Sequence, residues 1–578
     1  MKLRDRALVG LLSVALVVLS LAALGPSLQS SGLGNEPTPR TVNTRHFVEG
    51  VIGRVENASP FGARSVADRG LVALLFRGLV RLGPGSSIAG DLASSWDVAD
   101  DGRTWTFHLR PDQYWEDGEP ITADDVAFTV GVLSDPSYTG PGGESWRDVS
   151  ASVLDPLTVQ LQLTTPLGGF LEAATQPIAP VHLLGEIPPA ELAEDPFGQN
   201  PVGSGPFHLV FLLTGNVMLA ASRPVELLPE DPGGPNFATP RPTDSLASPG
   251  QTAKSGLAIP YLSQFELRYY DDVASLLDAW NKGELDAAAG LPPGAATELA
   301  ATPHARLVTY PGTTALAIGL NLRSDHPEFN DPAVRRALLQ AIDRDSIVSS
   351  LLAGLGNRAD SLIPPSSPMF DVVGNAPVAF DATAARKALQ TAGWKQSGNS
   401  WIPKGGKEPL VIELLSPEEA ANPVAYETAD AVVDAWQAIG LAVRHVPLSA
   451  AELIGDRLTR GEFQAAILPF AIGLDPDVYP LLAASQTRTG GSNVVGLQDP
   501  DLDKLLIAAR TPVDEVARIA AYKTLQGRLQ ARTYMLPLAF RDEYVVFRDT
   551  VVGPESRAVG SSGDRYWDVL TWRLADGT

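Results

Sequence analysis

The sequence predicts a mixed α/β protein built from more than one domain, and three observations lead there. At 578 residues the chain exceeds what one hydrophobic core usually holds, so two or three domains are expected. Apolar runs of strand type alternate along it with segments of helical period. The stretch Leu316–Val348 combines both. It starts within an apolar run, Thr314–Leu320, turns polar over Asn321–Asn330, and resumes as a helix behind Asp331-Pro332. Asp caps a first helical turn, and proline fits the first position because its missing N–H would be unpaired there. Val334, Leu338, Ala341 and Ile342 form one apolar face, while Arg335, Arg336, Asp343, Arg344 and Asp345 fall on the other. Here the chain is expected to leave one lobe and found a second.

Composition narrows the functional classes. With 44% hydrophobic and 19% charged residues the chain is an ordinary folded protein. A net charge of −23 argues against nucleic-acid binding, which needs a basic face to displace counterions. The absence of cysteine excludes disulfides, thiol catalysis, zinc thiolates and lipid attachment to Cys.

Met1–Arg6 is basic, and Ala7–Leu24 is almost purely apolar before Gly25-Pro26. That run approaches the roughly 20 residues that cross a bilayer, so residues 7–25 read as an uncleaved anchor, with a cleaved signal peptide as the alternative. Positive residues ahead of it keep residues 1–6 cytoplasmic and send the remainder outside. Residues 26–44 then read as a flexible tether.

Beyond the tether, His46–Arg54 reads as a strand and loop, and Asp68–Arg81 has helical period. Asp100-Asp101-Gly102 is a hairpin turn leading into the alternating strand Thr104–Arg110. Trp115-Glu116-Asp117-Gly118 is a second turn, and Thr122 caps a helix with acids in its first turn. Trp96, Trp105, Phe107, Tyr114 and Trp115 are expected in the core. Residues 225–257, rich in Pro, Gly, Ser and Thr, form a long loop expected to be disordered. Phe265–Tyr270 is a strand and Asp272–Leu285 an amphipathic helix.

Leu109-Arg110, Trp115-Glu116-Asp117-Gly118-Glu119-Pro120 and Thr122–Phe128 together resemble the signature of a known family. It comprises the extracytoplasmic solute-binding proteins that serve ABC importers of peptides, nickel and related solutes (family 5). Further matches follow in the family's order: Asp155–Leu163, Pro180-Val181-His182, Asn200–Phe207, and Asp286-Ala287-Ala288. Asn321, Phe329, Asp331–Leu338 and Ala341–Ile347 give the fullest match, and Leu362–Pro365, Phe380–Trp394, Leu497–Ala509 and Tyr522–Leu538 continue it.

The resemblance implies a two-lobed periplasmic-binding-protein fold of class α/β, with an extra subdomain in the first lobe and two crossing segments between the lobes. The expected limits are 45–88, 199–312 and 539–578 for the first lobe, 89–198 for the inserted subdomain and 313–538 for the second lobe. It makes Arg335, Asp343 and Arg344 fold-fixing residues. It implies hinge closure over a peptide or other small solute, with an importer's permease and ATPase subunits as partners and no cofactor. An extracytoplasmic location follows, anchored to the membrane through the N-terminal segment, or periplasmic or secreted if that segment is cleaved. The alternative is a membrane-anchored sensor or scaffold of the same fold.

Cleft candidates implied by the resemblance are Glu49, Gly50 and Val51 in the first lobe. In the second they are Ile472, Asp475, Asp477, Tyr479, Ser492 and Asn493. Ile472 stands where peptide-binding relatives carry an Asp for the ligand's ammonium group, which departs from a free-N-terminal peptide as ligand. Catalytic motifs are absent: the sequence holds no HExxH, GxSxG, GxxxxGK[ST] or GxGxxG, and its seven histidines are scattered. Acid pairs such as Asp124-Asp125 read as helix caps, so the protein is expected not to be an enzyme.

Overall fold

The computed structural model describes residues 46–222 and 260–575, apart from 214, 399 and 489. The anchor or signal segment, its tether and the Pro-rich loop 225–257 lie outside these described residues.

One 11-stranded sheet runs through the described chain. Its order from the second-lobe edge is Ala442–Leu448, Val411–Pro417, Ala465–Ala471, Ala305–Leu320 and Met535–Arg548. It continues through Ala287–Ala289, His46–Ile52, Gln264–Tyr270, Asn216–Ala221 and Phe207–Leu213. Gly356–Arg358 pairs beside Met535–Arg548. The two lobes are therefore joined by two long antiparallel strands, Ala305–Leu320 going out and Met535–Arg548 returning. A separate 4-stranded sheet, ordered Ala93–Val98, Thr104–Leu109, Thr158–Leu163 and Val149–Asp155, forms the extra subdomain.

The outgoing strand reads as a continuous apolar run because it is buried on both faces. Leu316, Ile318 and Leu320 enter one core with Val334, Leu338 and Trp436, while Ala315 and Ala317 enter another with Leu502, Leu506 and Tyr522. Successive side chains of a strand point to opposite faces, so a single strand serves both cores. In the first lobe His46–Ile52 does the same: Phe47 and Val51 pack on one side and Val48 on the other.

Register changes where the strands pass between lobes. Tyr310 pairs with Glu543 and Thr314 with Arg541, leaving Pro311, Gly312 and Thr313 opposite Asp542 alone. A Cβ at Gly312 would collide with the Arg541 carbonyl, so the bend is built around a residue without a side chain. The Asp542 carboxyl takes the Gly312 N–H, and burial pushes it up to about 6.

Local expectations hold where a cap defines them. Asp331 caps Pro332–Gln340 by accepting the Ala333 N–H at 2.8 Å, and Thr122 caps Ala123–Ser134 in a capping box with Asp125. The helix expected over Asp68–Arg81 instead ends at Leu75, and the chain re-forms as the strand Val80–Leu82. The Leu75 carbonyl accepts the N–H groups of Ser204 and Gly205 at 2.9 and 2.8 Å, which takes it out of the helical ladder. Helical structure after Pro332 is likewise interrupted: Pro332–Gln340 stops, and Asp343 caps a new turn by accepting the Ser346 N–H at 3.0 Å. Of the five aromatics expected in the core, Trp105, Phe107 and Trp115 are buried, whereas Tyr114 and Trp96 are half-buried.

Helical period placed Arg335 and Arg344 on a solvated face; both are buried at 3% exposure. Arg335 donates to the carbonyls of Phe329 (2.7 Å), Asn330 (3.0 Å), Arg532 (2.6 Å) and Thr533 (2.8 Å), tying the helix Pro332–Gln340 to the start of the return strand. Burial pulls its guanidinium down to about 10. Arg344 reaches the Val378 carbonyl at 2.7 Å and pairs with Asp360 at 3.1 Å. Replacing Arg335 by alanine strips four carbonyls of their donor, so R335A is expected to lose about 3 kcal/mol or more in denaturant unfolding. R335K should recover less than half, since an ammonium cannot span the same fork.

Candidate functional site

A cleft of about 2790 Å³ is lined by both lobes and the extra subdomain. Its second-lobe wall is the loop that leaves the strand Ala465–Ala471. The Ile472 N–H donates to the Thr313 carbonyl at 3.2 Å, so this loop starts on the crossing segment itself. Gly473, with φ +87°, turns the chain toward the opposite wall.

The lobes touch across that loop. Glu172, from the short helix Phe170–Ala173 of the subdomain, accepts the backbone N–H groups of Leu474 and Asp475. The Gly168 N–H donates to the Arg510 carbonyl at 2.8 Å, and a Cβ at Gly169 would collide with the Asp475 carboxylate. Burial, with Asp475 and Asp564 nearby, pushes Glu172 up to about 8 against the pull of its two N–H donors. The Asp564 carboxylate accepts the N–H groups of Gly560 and Ser561 at 2.8 Å each, and burial raises it as well.

The second-lobe carboxylates of the wall are also satisfied internally. Asp475 pairs with Arg518. Asp477 pairs with Arg510 at 3.1 Å and accepts the Tyr479 N–H at 3.0 Å; Arg510 also sits 4.4 Å from the centre of the Tyr479 ring. Burial raises Asp477 despite that arginine. These acids shape the wall and hold no unpaired charge for a cationic ligand.

Ile472, Asp475, Asp477, Tyr479 and Ser492 are brought together on the cleft wall. Ile472 is 9% exposed, its side chain largely in the second-lobe core. Asn493 lies behind the wall, its amide donating to the Ala483 and Leu497 carbonyls at 3.0 Å each. Glu49, Gly50 and Val51 sit inside the sheet and do not line the cleft. Glu49 is fully buried, in an ion pair with Arg565 at 2.5 Å and accepting the Tyr566 hydroxyl at 3.0 Å. Its position is beneath the wall, since Tyr566 lines the cleft.

Sequence reading missed Glu172, Asp564 and the arginines Arg77, Arg81 and Arg110, all on the cleft wall. Only the stretch around Arg110 carried a motif. Trp96 lines the cleft as well, where a core position was expected. Among the described residues no group of His, Cys, Asp and Glu could hold a metal ion.

The sequence profile described as bacterial extracellular solute-binding proteins, family 5 Middle, matches residues 87–493. The chain belongs to that family. The oligopeptide-binding protein AppA of Bacillus subtilis is 23% identical over 538 residues, covering 92% of each chain. The dipeptide-binding protein of Pseudomonas aeruginosa is 25% identical, covering 83% of this chain and 86% of its own. Among solved structures, NikZ from Campylobacter jejuni in complex with Ni(L-His) superposes with a TM-score of 0.70 at 23% identity, over 92% of this chain and all of NikZ. AppA in complex with a nonapeptide gives a TM-score of 0.70 at 22% identity, over 92% of this chain and 99% of AppA. These likenesses carry the two-lobed fold with its extra subdomain.

The Glu172 contact predicts a pH dependence of lobe approach. Separating the lobes removes Asp475 and part of the burial, so Glu172 falls back toward its ordinary value of 4.5; joined, it titrates at about 8. The joined form therefore binds the extra proton between those values and is favoured at low pH. It loses advantage by up to about tenfold per pH unit as pH rises from 4.5 to 8. Small-angle X-ray scattering should show the wild type more compact at about pH 5.5 than at about pH 8.5, and E172Q should lessen that difference.

Proposed function

We propose that this protein is the solute receptor of an ABC importer, capturing a peptide or similar small solute between its lobes and presenting the closed form to the permease. Family membership sets the class, and one observation of this chain carries the mechanism: both lobes contribute to one cleft and are joined by two paired strands that change register at Pro311–Thr313. Contacts made to both walls stabilise the shut form relative to the open one, and differential binding of a few kcal/mol suffices to move such an equilibrium.

The lobe limits given from sequence, with the first lobe at 45–88, 199–312 and 539–578, the subdomain at 89–198 and the second lobe at 313–538, are part of this reading. So are Asp475, Asp477, Tyr479 and Ser492 as solute-facing positions of the second lobe, with Ile472 at the loop's base. Glu49, Gly50, Val51 and Asn493 act from behind the walls. Residues 7–25 serve as the membrane tether in a chain without a cysteine for lipid attachment. The binding role needs no chemistry on the solute, in keeping with a receptor that is not an enzyme. No observation favours the scaffold alternative, since the cleft remains open to solvent and polar groups line it.

The test is to purify the protein without denaturation, release bound solute with denaturant and identify it by mass spectrometry. Returned to refolded protein at a hundredfold excess over Kd, that solute should add about 2.7 kcal/mol of stability and raise Tm. Release of nothing, with no thermal response to peptides, sugars or metal chelates, would contradict a transport receptor.

A further inference from the structure

The charge on the cleft wall is unlike that of the whole chain. Against a net −23 for the protein, as many arginines as carboxylates line the cleft, and among the described residues that line it there is no lysine or histidine. The second-lobe carboxylates, Glu172 and Asp564 already have internal partners. Of the rest, Asp112 and Asp148 are exposed and screened by water, whereas half-buried positive charge gathers in one place on the first-lobe wall.

Three arginines lie there with one carboxylate, Asp91, which only Arg77 engages directly. Arg77, behind the helix Val66–Leu75, holds Asp91 through Nε at 2.7 Å and Nη2 at 2.6 Å, and donates Nη1 to Gln113 Oε1 at 2.7 Å. Its side chain and that of Asp91 are only 10% and 15% exposed. Arg110, at the end of the strand Thr104–Leu109, gives its Nε to the Asp91 main-chain carbonyl at 2.8 Å, which leaves its two terminal nitrogens unused. Arg81, on the strand Val80–Leu82, has neither carboxylate nor carbonyl partner among the described residues. Arg81 and Arg110 are half-buried and both line the cleft. Burial and the neighbouring Arg77 and Arg81 pull Arg110 below its ordinary value, with Asp91 opposing. Asp91 neutralises Arg77, so Arg81 and Arg110 remain as half-buried charges close enough to repel each other, with only the exposed Asp112 as a further carboxylate nearby in sequence.

Half-buried like charges repel one another more strongly than they would in water. An oxyanion relieves this, because a carboxylate or phosphate accepts the parallel N–H groups of a guanidinium fork. We propose that Arg81 and Arg110, held in place by the Arg77–Asp91 pair and Gln113, form an oxyanion subsite of the cleft. The captured solute then carries a carboxylate or a phosphate that docks on the first-lobe wall. This rests on the reading of the cleft as a solute site, and it narrows the solute to an anionic one or to one with an anionic end.

The subsite can be probed without the natural solute. Succinate and inorganic phosphate are titrated separately into the protein, with sodium chloride matching ionic strength, and Tm and calorimetric heat are followed. Wild type should respond to at least one of them beyond the chloride control, and R81Q/R110Q should weaken that apparent Kd by about tenfold or more. R110K, which keeps the charge without the fork, should fall between. A response to succinate alone assigns a carboxylate, and one to phosphate alone a phosphate. No response beyond chloride, or an equal response in R81Q/R110Q with an unchanged circular dichroism spectrum, overturns the subsite. Failure of the receptor reading shows separately: a released solute without an anionic group leaves the receptor standing and the subsite lost. No released solute with an R81Q/R110Q-sensitive anion response leaves the subsite standing and the receptor lost.

Discussion

The paired strands Ala305–Leu320 and Met535–Arg548 are the constraint on which the rest of the structure depends. They make one sheet of two lobes, so two cores of the second lobe and both of the first are laid down on the same hydrogen-bonded ladder. A continuous ladder resists bending, because each bend breaks register. The ladder breaks register twice, between Leu316 and Ala317 and, by more residues, at Pro311–Thr313 opposite Asp542, where a glycine stands at the point a side chain would meet the Arg541 carbonyl. The larger break is the place we propose for motion between the lobes. The second-lobe wall is tied to it, since the loop at Ile472 hydrogen-bonds to Thr313.

Around that hinge the electrostatics divide the cleft. Glu172 links subdomain to second lobe by taking two backbone N–H groups, an arrangement that needs no complementary side chain and so places no demand on the solute. The acids of the Asp475–Asp477 loop are matched by Arg518 and Arg510, which leaves the loop electrically quiet. The first-lobe wall is different, with Arg77 and Arg110 bound to Asp91 and Arg81 near Arg110. One wall supplies shape and the other an unbalanced charge, a division that lets a single receptor orient an asymmetric solute.

Legibility in the sequence followed the range of the interactions. Caps are written within a few residues, so Asp331, Thr122 and the strands and helices beside them could be read directly. The helix end at Leu75 could not, because it is enforced by Ser204 and Gly205 far along the chain. Arg335 fell on the polar stripe of its helix, yet the carbonyls that bury it belong partly to Arg532 and Thr533, nearly 200 positions later (separations of 197 and 198). The site was less legible for the same reason. The Asp475–Tyr479 loop was found through its place in the family's order of motifs, whereas Glu172 meets Leu474 across 302 positions, with no local pattern to mark it. Glu49 was implied as a cleft residue by the resemblance; the fold instead matches it with Arg565 inside the sheet.

The central claim is that the two lobes close on a solute by bending at Pro311–Thr313. The chain has no cysteine, so labels can be introduced without background. Cysteines placed at Leu154 on the subdomain and Val516 on the second lobe, 56% and 75% exposed, carry a pair of spin labels whose separation is read by pulsed dipolar spectroscopy. Protein stripped of solute should give a longer or broader distance distribution, which shortens and sharpens when the released solute is returned. An identical distribution in both states, with the solute shown to be bound, would contradict closure.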